Sequence, residues 1–108
     1  MLSYEKHRDR LTVRLAGELD HERVGPIRAE LDTLIADPRV KHLVFDLTGV
    51  SFMDSSGIGL LMGRYRALGM RKDCIQAVGV NGHIGHLLRL SGLHRYIVIQ
   101  KAGEGEVS

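Results

Sequence analysis

Residues 45–59 read FDLTGVSFMDSSGIG. An apolar run leads into two adjacent serines behind an aspartate, and glycines then open a new pattern. This is the reading of a central strand that passes through a loop into a helix, the β-to-α step of an α/β fold. It places the hydroxyls of Ser55 and Ser56 at the carboxyl edge of a sheet, where open α/β sheets usually bind their ligands.

The flanking sequence extends that reading in both directions. His42 to Leu47, HLVFDL, is almost continuously apolar, β-branched or aromatic, which predicts a strand covered on both faces. Cys74 to Val80, CIQAVGV, and Tyr96 to Ile99, YIVI, read the same way. Leu11, Val13 and Leu15 alternate with Thr12, Arg14 and Ala16, the period of a strand with one buried face, and Ser3 to Lys6 reads as a short first strand beside it. Val24, Ile27, Leu31, Leu34 and Ile35 fall on one helical stripe. Pro26 is tolerated only in a first turn, so that helix starts between Glu22 and Pro26, and it stops before Asp37-Pro38. Two further helices are predicted, from Ser56 to about Met70 and from about His83 to Leu90, the second ended by Gly92. The order β-β-α-β-α-β-α-β predicts one α/β domain over residues 1–108, with a mixed sheet of four to five strands and helices packed on it. The tail from about 101 to 108, KAGEGEVS, is expected to fray.

Composition narrows the function classes. With 15 basic and 13 acidic side chains, the net charge of +2 is too small, and the basic residues too scattered, to argue for nucleic acid. Trp is absent and aromatics make up 5%, which argues against a platform for stacking bases. Cys74 is the only cysteine, so there is no internal disulfide or cysteine-based zinc site, in keeping with a reducing cytosol. MLSYEKHRDR contains no apolar signal core, and no window reaches the ~18 consecutive apolar residues of a membrane span. A cytoplasmic protein without membrane contact is expected.

The helix after the serines has an unusual surface. At 100° per residue, Ile58, Leu61, Met62, Tyr65 and Leu68 gather on the face expected to be buried, and Ser56, Gly59, Leu60, Gly63 and Ala67 gather opposite. Exposed helix faces normally carry Lys, Glu and Gln, because each interior Gly costs ~1 kcal/mol relative to Ala. A small, partly apolar face admits close approach either by a loop or helix of the same domain or by a flat partner surface. Asp54 or Ser55 also suits an N-cap, which needs only one residue. A phosphate on Ser55 would be tolerated at a helix N-terminus, opposed modestly by Asp54, while a partner docked beside it would meet a bulky solvated charge.

GELDH (Gly17 to His21), VSFMDSSGIGLLMGRYR (Val50 to Arg66) and SGL (Ser91 to Leu93) resemble the bacterial anti-sigma factor antagonists of the sulfate transporter and anti-sigma factor antagonist (STAS) family. FMDSSG followed by GRY is most similar to the sporulation type, which opposes the anti-sigma F factor. The resemblance implies a small mixed sheet with helices mainly on one face. It also implies a switch in which the unphosphorylated antagonist binds an anti-sigma factor that is itself a serine kinase, releasing the sigma factor. The kinase then uses ATP to phosphorylate the first Ser of DSSG, here Ser55, and a separate phosphatase reverses this. The implied docking residues are Asp20, His21, Asp54, Ser56, Gly57, Gly59, Leu60 and Gly63. On this reading the chain is no enzyme and holds no cofactor or metal. The chain departs from the family where GVNGHIGHLLRL lacks a Pro near position 82 and where RKDC replaces a glycine-bearing turn.

Two other classes stay open. A STAS module can be a fixed subunit in lipid transport or of a membrane transporter, indifferent to Ser55 chemistry, and a small serine hydrolase would acylate at Ser55. Against the hydrolase, the Gly-x-Ser-x-Gly elbow is missing, since Met53 and Asp54 stand where its first Gly would be, and only His21 is a conceivable base. HIGH (residues 83–86) lacks the long nucleotide-binding fold that such a motif serves, and His83 with His86 lacks a third metal ligand. GIGLLMG has one residue too many for a dinucleotide fingerprint.

Overall fold

A computed structural model describes residues 2–102. Its elements are β1 (Leu2–His7), β2 (Arg10–Leu19), α1 (Val24–Ile35), β3 (His42–Met53), α2 (Ser55–Ala67), β4 (Ile75–Val80), α3 (Gly82–Leu90) and β5 (Val98–Lys101). A 3₁₀ turn, Leu93–Arg95, precedes the last strand. The expected α/β order is therefore present, with Pro26 in the first turn of α1. Residues 103–108, most of the tail expected to fray, lie outside the described residues. Lys101 still belongs to β5, and the Ala102 N–H donates to Val80 O at 2.9 Å.

The sheet runs in the order β1-β2-β3-β4-β5, with β1 antiparallel to β2 and the remaining pairs parallel. Register stacks the apolar positions side by side: Leu11 beside Leu43 beside Ile75, and Val13 beside Phe45 beside Ala77. These residues are fully buried. Ile27 and Leu31 of α1, Leu61 of α2, and Ile84 and Leu88 of α3 close over them. Each such side chain contributes about 1.5–3 kcal/mol on leaving water, so this single layer contact holds the domain together.

The opposite face of the sheet stays partly open, which corrects the expectation that β3 and β4 are covered on both faces. In β3, Leu43, Phe45 and Leu47 are buried while His42, Val44 and Asp46 between them are half-exposed. The cause is topological. From β2 to β5 every parallel step moves to the next place on the same side, and right-handed crossovers then set every helix on one face. The open face is knit by polar side chains instead, with Arg14 lying 3.3 Å from Glu5 and 3.9 Å from Asp46.

Several boundaries differ from the sequence reading, among them the end of α2, which stops at Ala67 rather than about Met70. β3 continues to Met53, because Glu18 and Leu19 of β2 pair with Phe52 and Met53 and prolong the ladder past Leu47. Only Asp54 then separates strand from helix, and α2 starts at Ser55 rather than Ser56. β5 begins at Val98, since Tyr96 closes the preceding turn through its N–H to Leu93 O. The departures at positions 73 and 82 have local solutions. Asp73 takes the left-handed conformation (φ 60°) that a glycine would otherwise supply, and Asn81 caps α3 by accepting from the Ile84 N–H at 2.9 Å.

Candidate functional site

Asp54 is the N-cap of α2. Its backbone is extended and its Oδ1 accepts from the Ser56 N–H at 2.8 Å, so capping falls to the aspartate and leaves both serine hydroxyls uncommitted. Ser55 is exposed as the first helical residue, and among the described residues its Oγ has no hydrogen-bond partner. No histidine is bonded to it, so the triad geometry that an acyl transfer requires is not assembled there.

The neighbouring wall comes from the turn between β2 and α1. The Asp20 carbonyl accepts from the N–H groups of Arg23 and Val24, both at 3.1 Å. Its carboxylate takes the Arg23 N–H at 3.1 Å and the Arg23 guanidinium at 2.5 Å, and Glu18 holds the same guanidinium at 3.1 Å. Asp20 is thus spent on building the entry to α1, while His21 beside it is exposed.

α1 and α2 both leave the carboxyl edge of the sheet and run side by side. Between their first turns lies a groove of about 320 Å³, lined by His21, Val24, Gly25 and Arg28 on one side. Ser56, Gly59 and Leu60 line the other. The spacing explains the match: Val24, Arg28 and Asp32 are successive i, i+4 positions on α1, as Ser56, Leu60 and Arg64 are on α2. The groove closes where Arg64 Nε approaches Asp32 Oδ1 at 3.2 Å. Arg64 is buried, and its Nε and Nη1 have no well-aligned hydrogen bond among the described residues.

That packing corrects the expected faces of α2. Leu60, assigned to the outward face, is 3% exposed and forms the groove floor, and Gly57 is buried as well. Ile58 and Met62, assigned to the core, are only half-buried. The helix is rotated because α1 covers one flank of it in addition to the sheet beneath, and the apolar stripe alone carries no sign of that neighbour. Arg64 escaped the periodicity for the same reason: a charged residue counts as surface until its partner on another helix is known.

The glycines separate into two kinds. A Cβ on Gly57 would lie 2.4 Å from Met53 Cγ and 3.3 Å from Leu19 Cβ, so Gly57 is small because β2 and β3 pass directly under the helix. Gly59 and Gly63 have open space within 4 Å of the same position, and Gly59 is exposed. Nothing in the described residues requires them to be glycine, and none of their loops covers Gly59. Of the sequence-predicted residues, His21, Ser56, Gly59 and Leu60 meet in the groove, with Asp54 and Ser55 at its rim. Val24, Gly25 and Arg28 were not foreseen, because their proximity depends on α1 lying beside α2.

A larger depression, about 450 Å³, is lined by Tyr65 and Tyr96, among others, at the other end of α2. Ten residues of helix put Tyr65 about 15 Å from Ser55. Arg89 at its edge lies in the last turn of α3, where a cation complements the helix dipole. Among the described residues no three potential metal ligands come together, and no helix is long and apolar enough to cross a membrane.

Comparison with known proteins agrees with this fold. The chain is 37% identical over 98 residues to the anti-sigma F factor antagonist of Paenibacillus polymyxa, covering 91% of this chain and 84% of that protein. It is 29% identical over 104 residues to the anti-sigma-B factor antagonist of Listeria monocytogenes, covering 96% and 90% of the two chains. Among solved structures, the unphosphorylated form of the anti-sigma factor antagonist SpoIIAA superposes with a TM-score of 0.79 at 32% identity over 92% of this chain and 87% of that one. The phosphorylated form of SpoIIAA, a Bacillus cell fate determinant, gives 0.70 at the same identity over 92% and 90%. The fold is not peculiar to such regulators, since the murine anion transporter Slc26a9 shares it with a TM-score of 0.70 at 15% identity over 88% of this chain and 17% of that one. The family model described as Mlab, STAS domain matches residues 2–100, and the chain belongs to the STAS domain family.

Proposed function

We propose that this protein is an anti-sigma factor antagonist of the sporulation F type, switched by phosphorylation on Ser55. Unphosphorylated, it docks the first turns of α2 and the adjoining β2–α1 turn on an anti-sigma factor that is also a serine kinase, and so frees the sigma factor. The kinase transfers a phosphoryl group from ATP to Ser55 Oγ, ending the interaction, and a phosphoserine phosphatase restores the active form. The protein itself acts in the cytoplasm, catalyses nothing and holds no cofactor.

The observation that supports this reading is the exposed, uncommitted Ser55 hydroxyl at the start of α2, near Gly59 and Gly63, which no contact among the described residues demands. Support also comes from the relatives, since SpoIIAA has been solved with and without its phosphate. Phosphorylation at this position leaves the Asp54 cap in place, so the charge acts on the partner and not on the fold.

Incubation with ATP and a sporulation-type anti-sigma kinase is expected to add one phosphate to the intact mass of the wild type and none to Ser55→Ala, which still binds the kinase. No increment in either, with the kinase active on another substrate, would favour the reading of a fixed structural subunit indifferent to Ser55 chemistry. The docking face has its own test. Gly63→Lys removes an interior helix glycine and has room for its side chain, so it is expected to raise stability by about 1 kcal/mol while weakening kinase binding. Unchanged affinity by calorimetric titration would take Gly63 out of the interface.

A further inference from the structure

We propose that Arg28 receives an acidic side chain of the anti-sigma partner in the groove between α1 and α2, and that phosphate on Ser55 ejects the partner by opposing that carboxylate. This rests on the docking reading above and names the partner chemistry at one point of it.

The groove is unequal in charge. Of the arginines beside it, Arg23 is paired with Asp20 and Glu18, and Arg64 is paired with Asp32. Arg28 is exposed, and among the described residues it has no hydrogen bond or ion pair. Asp32, the carboxylate one turn further along the same stripe, is held by Arg64 at 3.2 Å. Glu30 is two residues from Arg28 and points away from it around the helix. An unmatched guanidinium therefore stands over an apolar floor of Leu60 and Val24, with Ser56 facing it from α2.

A partner that buries this groove must meet that charge or leave it desolvated and unpaired, which is costly. A carboxylate meets it best, because the planar fork of arginine fits two carboxylate oxygens at once. The same arrangement explains ejection. Ser55 adjoins Ser56 on the groove wall, so its phosphate would place nearly two negative charges beside the incoming carboxylate and offer Arg28 a rival counter-ion.

The test uses the full chain and the same kinase by calorimetric titration. Arg28→Glu is expected to bind about 30-fold more weakly than wild type, and Arg28→Lys within about threefold. The affinity of the wild type should fall more steeply with salt than that of Arg28→Ala. The loss caused by Ser55→Asp should be smaller in the Arg28→Ala background than in wild type. Because Arg28 has no partner among the described residues, all three variants should keep the wild-type thermal midpoint. Wild-type binding with Arg28→Glu equally tight would overturn this inference and leave the proposed function standing. So would equal losses in the Glu, Ala and Lys variants, which would mark a packing role. A wild type that neither binds nor accepts phosphate would overturn both.

Discussion

Ser55→Asp is expected to bind the anti-sigma kinase on the order of 100-fold more weakly than wild type, while its thermal midpoint moves by no more than about 2 °C. The two halves of this expectation have different origins. For the domain, an acidic residue at the first helical position is mildly favoured by the dipole, by about 0.3–1 kcal/mol, and repulsion from the Asp54 carboxylate offsets part of that. The cap itself is untouched, since Asp54 Oδ1 accepts from Ser56 and not from Ser55. For the complex, the new charge must be desolvated at an interface that has no cation provided for it other than the one engaged by the partner. A penalty of about 3 kcal/mol, the scale of leaving a charged group unpaired at an interface, corresponds to roughly a hundredfold in affinity. Calorimetric titration and thermal unfolding on the same sample separate the outcomes. Full-strength binding would remove Ser55 from the interface, and a large stability loss would make Ser55 a structural residue of the helix start.

Gly79→Ala is expected to lower stability by about 3 kcal/mol without touching the site. Gly79 sits in β4 with φ 68°, where an L side chain costs about 1–2 kcal/mol. A Cβ there would also lie 2.1 Å from Thr48 Oγ1 and 3.1 Å from the Thr48 backbone nitrogen, so turning the threonine side chain does not relieve the contact. Thr48 is itself pinned, its hydroxyl and N–H both donating to Asp46 Oδ1 at 2.6 and 3.0 Å. Overpacking of that kind costs a further 1–3 kcal/mol. For a domain of this size the sum corresponds to a fall of about 15 °C in the thermal midpoint, with Ser55 phosphorylation retained below it. A shift of less than about 4 °C would mean that β3 and β4 separate easily at this point. Their pairing ends at Asp46 and Val78, and beyond it β3 continues beside β2 alone.

Much of this molecule is written in local pattern. The alternation of Leu11, Val13 and Leu15, the apolar run at His42 to Leu47 and the stripe from Val24 to Ile35 each name an element, because strand and helix periods depend only on neighbouring residues. The cap at Asp54 and the exposed Ser55 after it are equally local: a short acceptor side chain before a helix finds the free N–H groups two residues on. Ser55 could therefore be singled out before any tertiary contact was known.

What local pattern does not carry is which elements become neighbours. Gly57 and Gly59 are the same residue two positions apart, yet one is forced by Met53 and Leu19 beneath it and the other by nothing among the described residues. Leu60 belongs to the groove floor and Arg64 is buried only because α1 lies along one flank of α2. The one-sided cover of the sheet follows from the direction in which successive parallel strands are added, a property of the whole chain path. Helix stripes and capping residues arise from interactions a few residues apart and are legible in order along the chain. The groove that joins Arg28 to Ser56 arises from packing between distant segments, and only the folded arrangement of α1 against α2 decides it.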